Sequence, residues 1–185
     1  MVYTLRVTLS GIKGFYRVYN VNGATTLYTL HKQLRTDLEF PQDQLIMFKA
    51  LDGDGNVLGR YGLFDLGSGT VDCISLDKAV SIGTAGFVYF YDVTFKKSVN
   101  ISIEAEVPGA KVSADAPVLI DTKGPNPIEF ENGYVAFEDL PEKQRILPGE
   151  GEEDDDEDLD DIEEEEDDEE DDDDEEGKEI YDENE

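Results

Sequence analysis

The last 37 residues constrain the folding of this chain most, because they cannot contribute to a core. Gly149 to Glu185 hold 28 of the 46 acidic residues and a single base, Lys178. Their only large apolar side chains are Leu159, Ile162, Ile180 and Tyr181. So little burial does not offset the about 1–2 kcal/mol of backbone entropy lost per ordered residue, and like charges extend the segment further. Residues 1–148 keep 18 acids and 14 bases and are close to neutral. The expected organisation is one domain over 1–148, followed by a disordered, acidic, low-complexity tail over 149–185. A domain of that size buries roughly 68–70% of its unfolded surface.

Cys73 is the only cysteine, so an intrachain disulfide and a multi-cysteine zinc site are both ruled out. Met1 to Leu9 alternates apolar and polar residues and lacks the basic start, apolar block and cleavage site of a signal peptide. The longest apolar run, Phe87 to Tyr91, is far short of the about 20 residues a membrane helix needs. The expectation is a soluble, cytoplasmic protein with no membrane association. The net charge of −31 disfavours direct contact with nucleic acid phosphates for the full-length chain.

Val2–Leu9 and Phe15–Val21 read as strands joined through the turn residues Ser10-Gly11-Ile12-Lys13-Gly14, a hairpin. Thr25 or Thr26 then caps a helix whose apolar stripe is Leu27, Leu30, Leu34 and Leu38. His31 flanks that stripe, and Phe40-Pro41 ends the helix. Leu45–Leu51 and the run from Val57 form a second hairpin around Asp52-Gly53-Asp54-Gly55-Asn56. Thr70–Leu76 is expected as a short strand and Leu76–Val80 as a helical turn. Phe87–Tyr91 and Ser98–Val107 are strands, the second alternating at Val99, Ile101, Ile103 and Ala105. From Pro108 to Pro148 six prolines thin the signal, and Gly124–Pro127 reads as irregular. Val118, Leu119, Ile120, Phe130, Tyr134 and Phe137 tether this stretch to the domain.

Chemistry-bearing residues are few. His31 is the only histidine, so any acid–base pair or hydrolase would have to use it. Beside a leucine stripe, a packed or surface histidine is the simpler reading. Cys73, alternating with Val71, reads as a small apolar core residue. Asp52-x-Asp54-x-Asn56 opens like a calcium loop, but Val57 and Leu63 stand where glycine and glutamate are needed, so it reads as a turn. Gly53-x-Gly55 and Gly67-Ser68-Gly69 match no phosphate loop. Phe87, Tyr89, Phe90 and Tyr91 beside Lys96-Lys97 offer bases a stacking surface in principle; a sheet core with a basic turn is the plainer account. No catalytic, cofactor-binding or metal-ligating set is assigned, and no cofactor is expected.

The order of these pieces resembles the plasmid pRiA4b ORF-3-like family. Three places carry the resemblance: Tyr3–Val21 with Thr26-Leu27-Tyr28-Thr29-Leu30-His31; Phe87–Asp92 leading into Val99–Glu106; and Gly124-Pro125-Asn126-Pro127. After Tyr91-Asp92 this chain has Val93-Thr94-Phe95 in place of the family's Gly-Asp, and it lacks the family's tryptophan and closing-loop cysteines. Members are often labelled transposon passenger proteins or TnpR-type resolvases. The resemblance implies no established activity, and no recombinase serine or DNA-binding module is visible.

The fold class expected is α+β: a mixed, mainly antiparallel sheet with one principal helix and a β-grasp-like opening. The function expected is a non-enzymatic interaction domain whose tail, residues 149–185, engages a basic protein surface or aids solubility. One alternative is a mobile-element accessory that binds nucleic acid or a nucleic-acid enzyme, its tail an autoinhibitory mimic. A second is a hydrolase using His31.

Overall fold

The computed structural model describes residues 1–135. The expected domain boundary at 148/149 and the acidic tail lie outside those residues.

β1 (Val2–Leu9) and β2 (Ile12–Asn22) form the first hairpin as expected, with β2 beginning three residues earlier than its aromatic run. Gly11 makes the turn at φ 76°, a conformation that costs glycine little. α1 (Leu27–Asp37) follows, and the Thr26 hydroxyl accepts from the Thr29 amide at 3.2 Å. Leu27, Leu30, Leu34 and Leu38 are all buried, so the four-leucine stripe is the helix's core face. β3 (Met47–Leu51) and β4 (Val57–Gly62) form the second hairpin.

The next segment differs from expectation. Thr70 makes only a single bridge to Gly62, residues 71–73 form a turn, and Ser75 caps α2 (Leu76–Ser81). Serine at that place offers its hydroxyl to the Lys78 amide, which favours a helix start over continuing a strand. β5 (Gly86–Asp92) and β6 (Lys97–Glu106) match their expected positions.

Two elements appear in the proline-rich stretch. β7 (Val118–Lys123) pairs with β2, and α3 (Pro127–Glu131) starts on a proline whose missing amide would have been unpaired at that position anyway.

The seven strands form one sheet in the order β4-β3-β5-β6-β1-β2-β7, with every neighbouring pair antiparallel. The opening strand–strand–helix–strand order is the expected one. The β5–β6 hairpin lies between β1 and β3. β6 supplies the reason: its alternating Val99, Ile101 and Ile103 give β1 a long antiparallel partner, with Ile101 opposite Val7 and Ile103 opposite Leu5. α1 carries the chain from β2 past β1, β6 and β5 to β3.

Cross-strand partners show which face is the core. Phe15, Tyr19 and Val21 on β2, Leu5 and Val7 on β1, and Phe48, Phe87 and Tyr89 on β3 and β5 share the face that α1, α2 and α3 contact. Residues on the opposite face, such as Thr4, Arg6, Thr8, Lys49 and Asn100, are partly or fully exposed.

The two sheet edges differ. At β4, Val71 donates its amide to the Gly62 carbonyl, and the Ser68 hydroxyl accepts from the Arg60 amide. The 63–70 loop thus fastens that edge at two points. Beyond β7 no strand follows among the described residues, and Val118, Leu119 and Ile120 are exposed.

Candidate functional site

His31 is the natural first candidate, and the fold places it inside. It is 4% exposed, and its Nδ1 lies 2.7 Å from the Tyr89 hydroxyl, itself fully buried on β5. Burial, then the positive charges of Arg35 and Lys32, hold the imidazole down to about 4. Burial pushes the Tyr89 phenol upward. With a neutral ring and a protonated phenol, one partner donates a single proton to the other and both remain uncharged. Around them, Phe48 stacks on Tyr89 at 4.5 Å and Phe40 on Tyr91 at 3.8 Å between centroids. No carboxylate bonds to this histidine among the described residues. The pair is a satisfied polar contact in an aromatic core.

A second buried polar centre was not apparent from the sequence. Arg17 is 7% exposed. Its Nη1 donates to the carbonyls of Tyr16 and Lys123, and its Nη2 to the Gly124 carbonyl and Asn126 Oδ1, at 2.7–3.0 Å. The guanidinium also lies 4.7 Å from the Phe15 ring centroid. Asn126 in turn donates to Glu39 Oε2. Gly124 sits at φ 74°, where an added Cβ would fall 2.0 Å from the Gly14 carbonyl oxygen, so the chain passes tightly under β2. The signal in the sequence is the alternation Phe15-x-Arg17-x-Tyr19-x-Val21, which puts one arginine on an apolar face.

The remaining candidates divide. The Asp52 carboxylate accepts from the amides of Asp54 and Asn56 and from Asn56 Nδ2, so it closes its own turn. Those bonds hold its carboxyl below the usual range. Cys73, expected in the core, is exposed because the residues around it form a turn instead of a strand. Phe87, Tyr89 and Tyr91 are core residues, and Lys97 pairs with Glu131 at 2.6 Å. No group of three or more metal-ligating side chains occurs among the described residues, and no described helix is long and apolar enough to cross a membrane.

One surface feature has the chemistry of a contact site. A cavity of about 210 Å³ lies at the end of the β3–β4 hairpin, lined by Leu45, Ile46, Met47, Gly62, Leu63, Phe64, Leu66 and Val93. Leu45, Leu63, Phe64 and Leu66 are 55%, 42%, 72% and 50% exposed, so the rim is apolar and open. Asp65 fixes the loop by accepting from the amides of Gly67 and Gly69. Exposed apolar side chains scattered singly need no explanation, but a contiguous set around a cavity marks a contact surface. Its sequence signal is three large apolar residues in a loop bounded by Gly62 and by Gly67-Ser68-Gly69.

Three comparisons bear on the chain's relationships. A crystal structure of a protein of unknown function from Methanosarcina mazei Go1 is similar over 68% of this chain and 70% of that one, with a TM-score of 0.53 and 18% identity. At that identity the likeness concerns the fold alone. No curated protein matches. The family model for plasmid pRiA4b ORF-3-like proteins matches residues 1–183. The structure joins the motifs that carry this likeness in pairs, Arg17 with Gly124 and Asn126, and His31 with Tyr89. Their visible role is to hold the sheet, α1 and the closing loop together, and on the family match the chain belongs to the plasmid pRiA4b ORF-3-like family.

Proposed function

We propose that this chain works by binding another protein and not by catalysis. The observation that carries the reading is the open apolar cavity between Leu45, Phe64 and Leu66, which is built like a short-range contact. The acidic residues 149–185 act as a long-range arm toward a basic protein surface, since 28 carboxylates in 37 residues raise the encounter rate with any cationic partner. A cytoplasmic setting goes with this reading. A hydrolase built on His31 has the least support, because its imidazole is packed against Tyr89 and away from solvent.

The segregation of charge favours one second reading. A mobile-element accessory, of the kind the resolvase label suggests, would use the acidic arm to mimic nucleic acid and block its own or a partner enzyme's nucleic-acid surface.

The test uses full-length protein and a truncation ending at Pro148 as baits in native extract, eluted with a salt gradient. Proteins held by the full-length bait, lost with Phe64→Ser and eluted in two steps by salt and detergent support the leading reading. Nucleic acid captured only by the truncation supports the second. Identical capture by the full-length protein and its Phe64→Ser variant sinks the contact-site assignment.

A further inference from the structure

The apolar cavity has a charged neighbour on the same face of the sheet. Met47 and Gly62 stand directly opposite one another on β3 and β4 and both line the cavity. Two residues along each strand, Lys49 and Arg60 stand directly opposite in the same way. Side chains alternate along a strand, so these two pairs share one face, while Phe48, Ala50, Gly59 and Tyr61 between them face the core. The cations therefore lie about 7 Å along the strands from the cavity wall.

Like charges directly opposite across a strand pair are destabilising. Arg6 pairs with Glu104 and Lys97 with Glu131, but neither Lys49 nor Arg60 has a side-chain hydrogen bond or ion pair among the described residues. Asp65, the acid nearest in the rim loop, is engaged by the amides of Gly67 and Gly69. An uncompensated cation pair beside an open apolar cavity breaks a local rule of sheet design, and such breaks are expected at functional sites.

We infer that this composite site binds an extended acidic–apolar segment of a partner protein. The segment places a large apolar side chain in the cavity and a carboxylate two residues away on Lys49 and Arg60. Charge complementarity selects the acid. Spacing selects the extended backbone, because residues i and i+2 of a strand lie on one face about 7 Å apart, the separation of cavity and cations. Single-stranded nucleic acid fits less well. Binding it takes a positively charged groove that tracks the backbone, whereas β3 and β4 supply two cations, Lys49 and Arg60. Residues 1–148 hold 18 acids and 14 bases and are close to neutral, so the domain itself does not repel an acidic ligand.

The inference rests on the contact-site reading above and names its ligand. Its test is an NMR titration of isotopically labelled full-length protein in 0.1 M salt. The ligand is a nine-residue peptide of serine and glycine with one leucine and, two and four positions on, glutamates. Amide shifts centred on Met47, Lys49, Arg60 and Gly62 are expected. They should weaken at least fivefold when the peptide's leucine becomes serine, when its glutamates become lysines, and in a Lys49→Gln, Arg60→Gln variant. Both cations are on the surface face, so that variant should keep the wild-type spectrum elsewhere. Absence of shifts at these residues overturns the inference, as does equal binding of all three peptides or stronger binding of a nine-nucleotide oligothymidylate. Capture from extract that depends on Phe64 but not on Lys49 and Arg60 overturns this inference while leaving the contact-site reading standing.

Discussion

Thr26 and Ser75, 49 positions apart in sequence, face one another across an antiparallel bridge, and each is the cap of its own helix. The Leu27 amide donates to the Ile74 carbonyl and the Leu76 amide to the Thr25 carbonyl, both at 2.9–3.0 Å. The first turn of an α-helix leaves its amides without internal partners. Here the residue before each cap satisfies one such amide of the other helix. Replacing Thr26 or Ser75 with alanine removes a side-chain acceptor and should cost about 1 kcal/mol apiece. Because the starts are joined, hydrogen exchange in Thr26→Ala should accelerate in α2 as well as in α1. Exchange confined to α1 would show the two starts to be independent.

Arg17 is expected to hold the closing loop. Arg17→Ala removes the donor shared by the Lys123 and Gly124 carbonyls and the Asn126 side chain. The loss should be roughly 3 kcal/mol in urea unfolding, since hydrogen bonds to charged groups are worth about 1.5–3 kcal/mol each. Arg17→Lys should rescue little, because an ammonium cannot reproduce the planar fork of a guanidinium. Full rescue by lysine would reduce the residue's role to charge.

Stability should fall as pH drops from about 6.5 towards 4. His31 is held down to about 4 in the folded chain by burial first, while an unfolded histidine titrates near 6.5. Between those values the unfolded state binds the extra proton, so acid favours unfolding. The contribution is fully present above pH 6.5, lost on the way to pH 4, and on the order of 3 kcal/mol. His31→Gln, which keeps a hydrogen-bonding group but does not titrate, should flatten that window in urea titrations. An unchanged slope would assign it to other groups.

The His31–Tyr89 contact should show the asymmetry of buried polar pairs. Tyr89→Phe strands the imidazole nitrogen and should cost about 1–3 kcal/mol. Pairing it with His31→Leu removes both polar groups and should recover part of that loss. A double variant less stable than the sum of the single changes would mean that packing volume, not the unpaired nitrogen, dominates.

Phe64→Ser should leave the unfolding midpoint nearly unchanged, because the ring is 72% exposed and changes at such sites fall within about 0.5 kcal/mol. The same variant should bind less of a fluorescent apolar dye. A large stability loss would make Phe64 a structural side chain.

What the sequence conveyed and what it hid follow from range. The leucines of α1 recur every three or four residues, so a local pattern names both the helix and its buried face. The hairpins β1–β2 and β3–β4 are equally local, with their turn residues written between them. Strand order is not local: nothing near Met47 shows that β3 pairs with Phe87–Phe90 and not with β1. Nor does anything near His31 name Tyr89, 58 positions on. β7 has no local signal because its side chains are almost all exposed and carry no alternation. Cys73 reads as a core residue because a short β-branched run has the pattern of a strand whether or not a partner is available. The apolar cavity draws on residues from 45 to 93, and only its loop portion could be read in advance.

The unequal edges of the sheet have a bearing on self-assembly. Strand-to-strand polymerisation needs two open sides, one to receive and one to offer. With the 63–70 loop fastened over β4, the described domain has only the β7 side to offer. Two copies meeting there in antiparallel fashion would exhaust each other's free backbone and stop. An endless fibre would first have to lift that loop, breaking the Arg60–Ser68 and Val71–Gly62 bonds. Among the described residues, one short loop thus leaves this sheet a single side for growth.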